Sequence, residues 1–236
     1  MVPERNVDPV DLYDHERRAF VAFLESRSAT DLTLTVAATP AWSVRDVLAH
    51  VVGITADLNA QHFGDGDGDR WTAAQIAARR GDSLEDLTRE WNREAPPFEE
   101  GLRLFGYDFG AHYLGDLLQH VGDVHAALGL SPTRDDESIA VALDFYLASF
   151  EATLDDAVVG ATDVHVGDES WRLGSGDVVA SVTAERYEWF RALGGRRTEP
   201  EIRALDWTGD VDAVIGLVSR YPMPRQSLGE AGRGTT

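Results

Sequence analysis

A mainly α protein, with a four-helix bundle followed by a small α+β domain, is the fold class this chain predicts. Three observations predict it. Apolar residues recur at helical spacing through the first two-thirds of the chain, capping residues or prolines and glycines bracket those runs, and beyond Gly160 the pattern shifts to period two. The expected division is 1–158 for the helical bundle, 159–225 for the α+β domain and 226–236 for a polar, disordered tail.

Residues 9 to 27 place Val10, Tyr13, Phe20, Phe23 and Leu24 at helical spacing. Ser43, with Asp46 three residues on, forms a short capping box for a helix that buries Val44, Val47, Leu48, Val51 and Val52. Gly64 to Asp69 reads as a loop and Trp71 to Arg80 as a short helix. Ser83 and Asp86 open another helix carrying Leu84, Leu87 and Trp91. Pro96-Pro97 is expected to end it, because proline lacks an amide hydrogen and crowds the preceding turn. Phe109 to Leu128, closed by Gly129, is a long helix, and Ile139 to Leu154 follows with Phe145, Leu147 and Phe150 to pack. Helices joined by short connections suggest a bundle.

Thr162 to Val166 and Ser170 to Leu173 then alternate about Gly167-Asp168, a hairpin signal. Asp177 to Val182 offers a third strand. Thr183 is expected to cap a helix carrying Tyr187, Trp189, Phe190 and Leu193, stopped by Gly194-Gly195, and Asp210 to Tyr221 is expected to be the last helix. So small a domain has little core of its own and is expected to dock on the bundle.

The net charge of −20, from 21 basic and 41 acidic residues, argues against nucleic-acid backbones and anionic membranes as partners. It leaves room for a local basic pocket. The chain has no cysteine, which removes disulfides, zinc–thiolate sites and a cysteine nucleophile. Any thiol chemistry must therefore use a bound small molecule. Residues 1–8 lack a signal-peptide core and no apolar run approaches membrane-spanning length, so a cytoplasmic monomer or homodimer is expected.

The most chemistry lies in Asp116-Leu117-Leu118-Gln119-His120, where a carboxylate and an imidazole four residues apart share one helical face. His50 sits alone in an apolar helix far upstream, and three such donors from two helices would make an open, catalytic-type metal site. His112, Asp116 and His120 follow one another at fours. His112 and His120 are about 12 Å apart along the axis, too far to share one ion through bonds of about 2.1 Å. Spacing alone leaves Asp116 with His120, or His112 with Asp116, or a plain helix-surface pair. His15, His62 and His165 read as structural. Gly64–Asp69 lacks the terminal glutamate of a calcium loop. Neither a phosphate-binding glycine motif nor a nucleophile elbow is present.

Trp42-Ser43-Val44-Arg45-Asp46-Val47-Leu48-Ala49-His50-Val51 resembles the first helix motif of the mycothiol-dependent maleylpyruvate isomerase family, within the DinB-like group of metal-binding four-helix bundles. Trp71 to Gln75 through Arg79-Arg80, then Ser83 to Trp91, is similar to the family's middle segment. Asp116 to Gly129 resembles its second motif, and Gly195-Arg196-Arg197 with Trp207-Thr208-Gly209-Asp210 the end of its C-terminal domain. The likeness spans residues 9 to 221 in order. Asp116 stands where the family usually has glutamate, and Tyr113 where it has arginine; His112 is the alternative third ligand.

The resemblance implies a DinB-like bundle holding a divalent metal, Zn2+, through His50, Asp116 and His120, with mycothiol as thiol cofactor. In the family reaction the thiolate adds to a cis-alkene conjugated to carbonyls, the new single bond rotates, and loss of the thiol leaves the trans product. Arg80, Arg196 and Arg197 match family positions and are expected to bind substrate carboxylates. Asp123, three residues beyond His120, is expected to orient that ring. The expected function is a metal-dependent, thiol-assisted cis–trans isomerase or S-transferase acting on a small acidic electrophile. Its partners would be that small-molecule substrate and a low-molecular-weight thiol, not nucleic acid or membrane. The other readings are a thiol-independent hydrolase or lyase and a non-enzymatic ligand-binding module.

Overall fold

The computed structural model describes residues 5–64, 66–132 and 137–230. These form two compact units, one of residues 10–64, 66–132 and 230 and one of residues 5–9 with 137–229.

The first unit begins with α1 (Pro9–Glu25), a two-residue strand β1 (Thr35–Val36) and β2 (Thr39–Ser43), which pair antiparallel. Ser43 then caps α2 (Val44–Asn59) with the expected box: its hydroxyl accepts from the Asp46 amide, and the Asp46 carboxylate accepts from the Ser43 amide at 3.0 Å. α3 (Gly68–Ala78) starts at Asp67, earlier than expected, because the Asp67 carboxylate accepts from the Arg70 amide. α4 (Leu84–Phe105) and α5 (Tyr107–Ala127) complete the unit. The core is where α1, α2, α4 and α5 meet, as in a four-helix bundle. Tyr13 packs on Phe98 at 5.4 Å between ring centroids, Phe20 on Trp91 at 6.5 Å, and Phe23 stacks on His125 at 4.4 Å.

Pro96-Pro97 does not end α4, contrary to expectation. Both prolines lie inside it. Trp91, Ala95, Phe98 and Leu102 continue one buried stripe across them, and that burial outweighs the two lost backbone bonds. Both prolines sit on the exposed face.

The second unit contains α6 (Glu137–Ala157), β3 (Ala161–Val166), β4 (Glu169–Leu173), β5 (Val178–Ala184), α7 (Arg186–Leu193), α8 (Glu199–Arg203), β6 (Asp206–Gly209) and α9 (Val211–Val214). The strand order is β4-β3-β5-β6, with β3 and β5 parallel and the outer pairs antiparallel. The link from β4 to β5 passes under the start of β3, where a Cβ on Gly160 would stand 2.8 Å from the Asp177 carbonyl oxygen. Contacts group α6 with the strands that follow it: Tyr146 packs edge-on to Phe190 and Phe150 to Trp189. The unit therefore begins ahead of α6, where the sequence placed the division at 158. Arg5 ties to it through Asp144 at 3.0 Å and Glu169 at 2.8 Å.

Thr183 is not a helix cap but a residue of β5, paired with Asp206 of the unforeseen β6; α7 starts at Glu185 without a side-chain cap. The expected last helix, Asp210 to Tyr221, is only α9 and one 3-10 turn at Ile215–Leu217. Of the expected disordered tail, residues 226–230 form no helix or strand and 231–236 lie outside the described residues.

Candidate metal centre

The centre is assembled from α2 and α5. His50 lies on the second turn of α2, fixed by the Ser43–Asp46 box at the helix start. Asp116 and His120 share one face of α5. One donor atom from each of His50, Asp116 and His120 lies within 4.8 Å of the others. The two imidazoles meet edge-on, with centroids 5.1 Å apart and planes at 81°. Trp42, just before α2, covers them at 4.9 Å from His50 and 6.4 Å from His120. His50 and His120 are 4% and 5% exposed, whereas the Asp116 side chain is 27% exposed. Two rings are shielded and the carboxylate faces an opening.

Second contacts fix the rings. His50 Nδ1–H donates to Gln75 Oε1 at 2.9 Å, since the amide oxygen can only accept. That leaves Nε2 of His50 unprotonated and available to a metal. Gln75 in turn donates to Asp57 Oδ2 at 2.8 Å, as does Trp71 Nε1 at 2.7 Å. Arg79 holds the Gln75 carbonyl at 3.1 Å and grips Glu90 of α4 with two bonds of 2.9 and 2.6 Å. Gly53 permits this approach: a Cβ there would stand 2.5 Å from Gln75 Cβ. Arg45 closes the far end by donating to the Arg79 and Asp82 carbonyls. On the other ring, His120 Nε2 faces Asp116 at 3.8 Å, and its Nδ1, buried without a hydrogen bond, faces Asp123 Oδ2 at 3.6 Å.

Two imidazole nitrogens and one carboxylate oxygen are a donor set that suits Zn2+ with positions left open. Bonds of about 2.1 Å would draw such donors to roughly 3.4 Å apart, a side-chain-scale contraction from what is seen. The residues fit a divalent ion.

Spacing had left the partner of Asp116 undecided, and the structure groups it with His120. His112 is not in the cluster; its ring stacks on Tyr113 at 4.8 Å. Asp123, with a fully buried side chain, stands beside His120. Each expected substrate arginine is described within its own unit. Arg80 is exposed on the surface of its unit. In the other unit, Arg196 donates to the Gly194 carbonyl at 2.7 Å, and Arg197 is held by Glu188 at 2.8 and 3.2 Å. Gln75, Asp57, Trp71, Arg79 and Trp42 were missed as site residues. Trp71, Gln75 and Arg79 stand at successive fours in the sequence, and that shared face was a readable signal.

Residues 13–112 match the mycothiol maleylpyruvate isomerase N-terminal domain model. The chain is also similar to a crystal structure of a histidine-to-alanine variant of mycothiol-dependent maleylpyruvate isomerase. The TM-score is 0.55 at 11% identity over 85% of this chain and 91% of that one, a likeness in fold. No curated protein sequence matches the chain.

Proposed function

We propose that this chain, whose residues 13–112 match the mycothiol maleylpyruvate isomerase N-terminal domain model, is a metal-dependent enzyme that uses a small-molecule thiol, mycothiol in the first instance, either to isomerise a small electrophile or to transfer the thiol sulfur to it. The observation that carries this reading is the convergence of His50, Asp116 and His120 within 4.8 Å. A divalent ion held by these three, Zn2+ by its donor preference, would stabilise a thiolate near neutral pH. The thiol comes from outside, because the chain has no cysteine.

The chain's own residues prepare that site. Gln75 keeps the proton of His50 on Nδ1, Asp123 sets a carboxyl oxygen beside the inner nitrogen of His120, and Trp42 screens both rings from water. The thiolate sulfur adds to one alkene carbon and the π pair moves onto the conjugated carbonyl. Rotation and expulsion of the same thiolate restore the double bond as trans, with no net oxidation. If a leaving group is present instead, it departs and the sulfur stays. No described helix is long and apolar enough to cross a membrane, and a cytoplasmic site of action goes with this reading.

Elemental analysis of protein purified without added metal, beside His50→Ala and Asp116→Ala, tests the ligand set. Stoichiometric divalent metal in wild type and its loss in both variants are expected. Full occupancy in Asp116→Ala would remove Asp116 from the set. Activity of the metal-loaded protein without any thiol would replace the isomerase or transferase reading by a hydrolase or lyase.

A further inference from the structure

A cavity of about 370 Å³ opens between α2, α4 and α5, and its walls suit a substrate unlike a small dicarboxylate. Leu58, Phe63, Phe98, Phe105, Phe109 and Tyr113 form most of it, and among the described residues no charged one lines it although the chain carries −20 overall. Its side-chain amides are Asn59 and Gln61. The Asn59 amide is already turned to Glu94, donating to the backbone carbonyl at 2.8 Å and to Oε2 at 3.0 Å. A carboxylate entering such a space would shed water without gaining a cation, and an ion desolvated without a partner is strongly disfavoured. An aromatic ring would gain from every wall.

The walls are arranged for this. Phe98 meets Tyr113 edge-on at 5.3 Å and Phe105 stacks on Phe109 at 5.0 Å, yet Phe63, Phe105 and Phe109 remain 67%, 66% and 45% exposed. Clustered exposed aromatics of this kind mark a binding surface, and the volume falls in the small-molecule range of roughly 300–1,000 Å³. Tyr113 links the cavity to the metal centre: it precedes Asp116 by three residues on α5, which puts their Cβ atoms about 5–6 Å apart. A ligand lying against Tyr113 is therefore about one helical turn from Asp116.

We infer that this cavity holds an uncharged aromatic portion of the substrate, so that the electrophile is a neutral, ring-bearing compound. The chemistry assigned to that compound rests on the metal-dependent reading above; the cavity stands on its own geometry.

Titration with N-phenyl-1-naphthylamine, a neutral two-ring fluorophore, tests the inference. Gly101 lines the cavity, and a Cβ added there meets nothing within 4 Å, so Gly101→Leu adds bulk to the cavity wall from an unobstructed position. Tyr113→Arg sets a cation on the inner wall. Saturable binding by wild type, weakened tenfold or more in both variants with unchanged circular dichroism, is expected. Absence of saturable binding, or equal binding in both folded variants, overturns the inference. So does a dimer that Phe105→Lys dissociates, because the occupant is then a second copy. Zinc uptake measured on the same wild-type sample keeps the two readings apart. Probe binding without zinc uptake sinks the metal reading and leaves the cavity; zinc uptake without probe binding does the reverse.

Discussion

Replacing Gln75 by methionine removes the acceptor that orients His50 while keeping side-chain length. The bond lost is 2.9 Å long, between residues 4% and 2% exposed, so no water replaces it readily. A buried donor left unmade costs about 1–3 kcal/mol. Loss of a group that orients a metal-bound histidine costs about 10–100-fold in metal affinity, which is roughly 1.4–2.8 kcal/mol. The two routes agree. Asp57 keeps its bond from Trp71 at 2.7 Å, so the neighbouring helix is not set adrift. Competition of Zn2+ between the protein and a chromophoric chelator at fixed pH reads the affinity directly. A Gln75→Met protein that binds zinc within twofold of wild type, while His50→Ala loses it, would refute the orienting role.

Gly53→Ala should cost about 1–3 kcal/mol in urea unfolding through overpacking against Gln75 and Arg79, more than the helix gains from alanine, and should weaken zinc in the same direction as Gln75→Met. Burial pushes the Tyr13 hydroxyl from 10.0 up to about 12, so the folded state holds that proton more tightly than the unfolded state. Its stabilisation is complete below pH 10, is lost as pH rises through about 12, and amounts to roughly 2–3 kcal/mol. Unfolding at pH 9 and pH 11.5 should therefore show a smaller alkaline loss in Tyr13→Phe than in wild type. Pro96→Ala should raise stability by about 1–2 kcal/mol, since a restored helical bond outweighs the added freedom of the unfolded chain; a lower melting temperature would contradict this.

Local chemistry made most helices legible. The Ser43–Asp46 and Ser83–Asp86 boxes and the Gly129 stop lie where they were read, because capping needs only neighbours in sequence. Pro96-Pro97 misled for the complementary reason: the stripe of Trp91, Ala95, Phe98 and Leu102 that carries the helix across them draws its energy from other helices. β6, four residues long, is too short to show alternation, and its partner Thr183 was taken for a cap in consequence. At the site, spacing exposed Asp116 and His120 but could not rank them against His112; His50 stood out as a lone imidazole in an apolar helix, and the family likeness chose among the pairings. Gln75 escaped because a glutamine signals no chemistry until its oxygen is seen 2.9 Å from an imidazole. The pairing of Arg197 with Glu188 at 2.8 Å was not legible either, since the two residues lie nine apart and meet only once the chain has turned past α7.

Two adjacent prolines inside α4 leave the Asn92 and Arg93 carbonyls without the amide rungs that would normally brace them. A rod with two rungs missing bends most easily at that point. The half beyond it bears Phe98, Leu102 and Phe105, so a few degrees of flexure there would widen or narrow the aromatic mouth while the turn that anchors Arg79 through Glu90 stays put. Admission of a bulky guest and the grip on the imidazole would thus be mechanically insulated from each other.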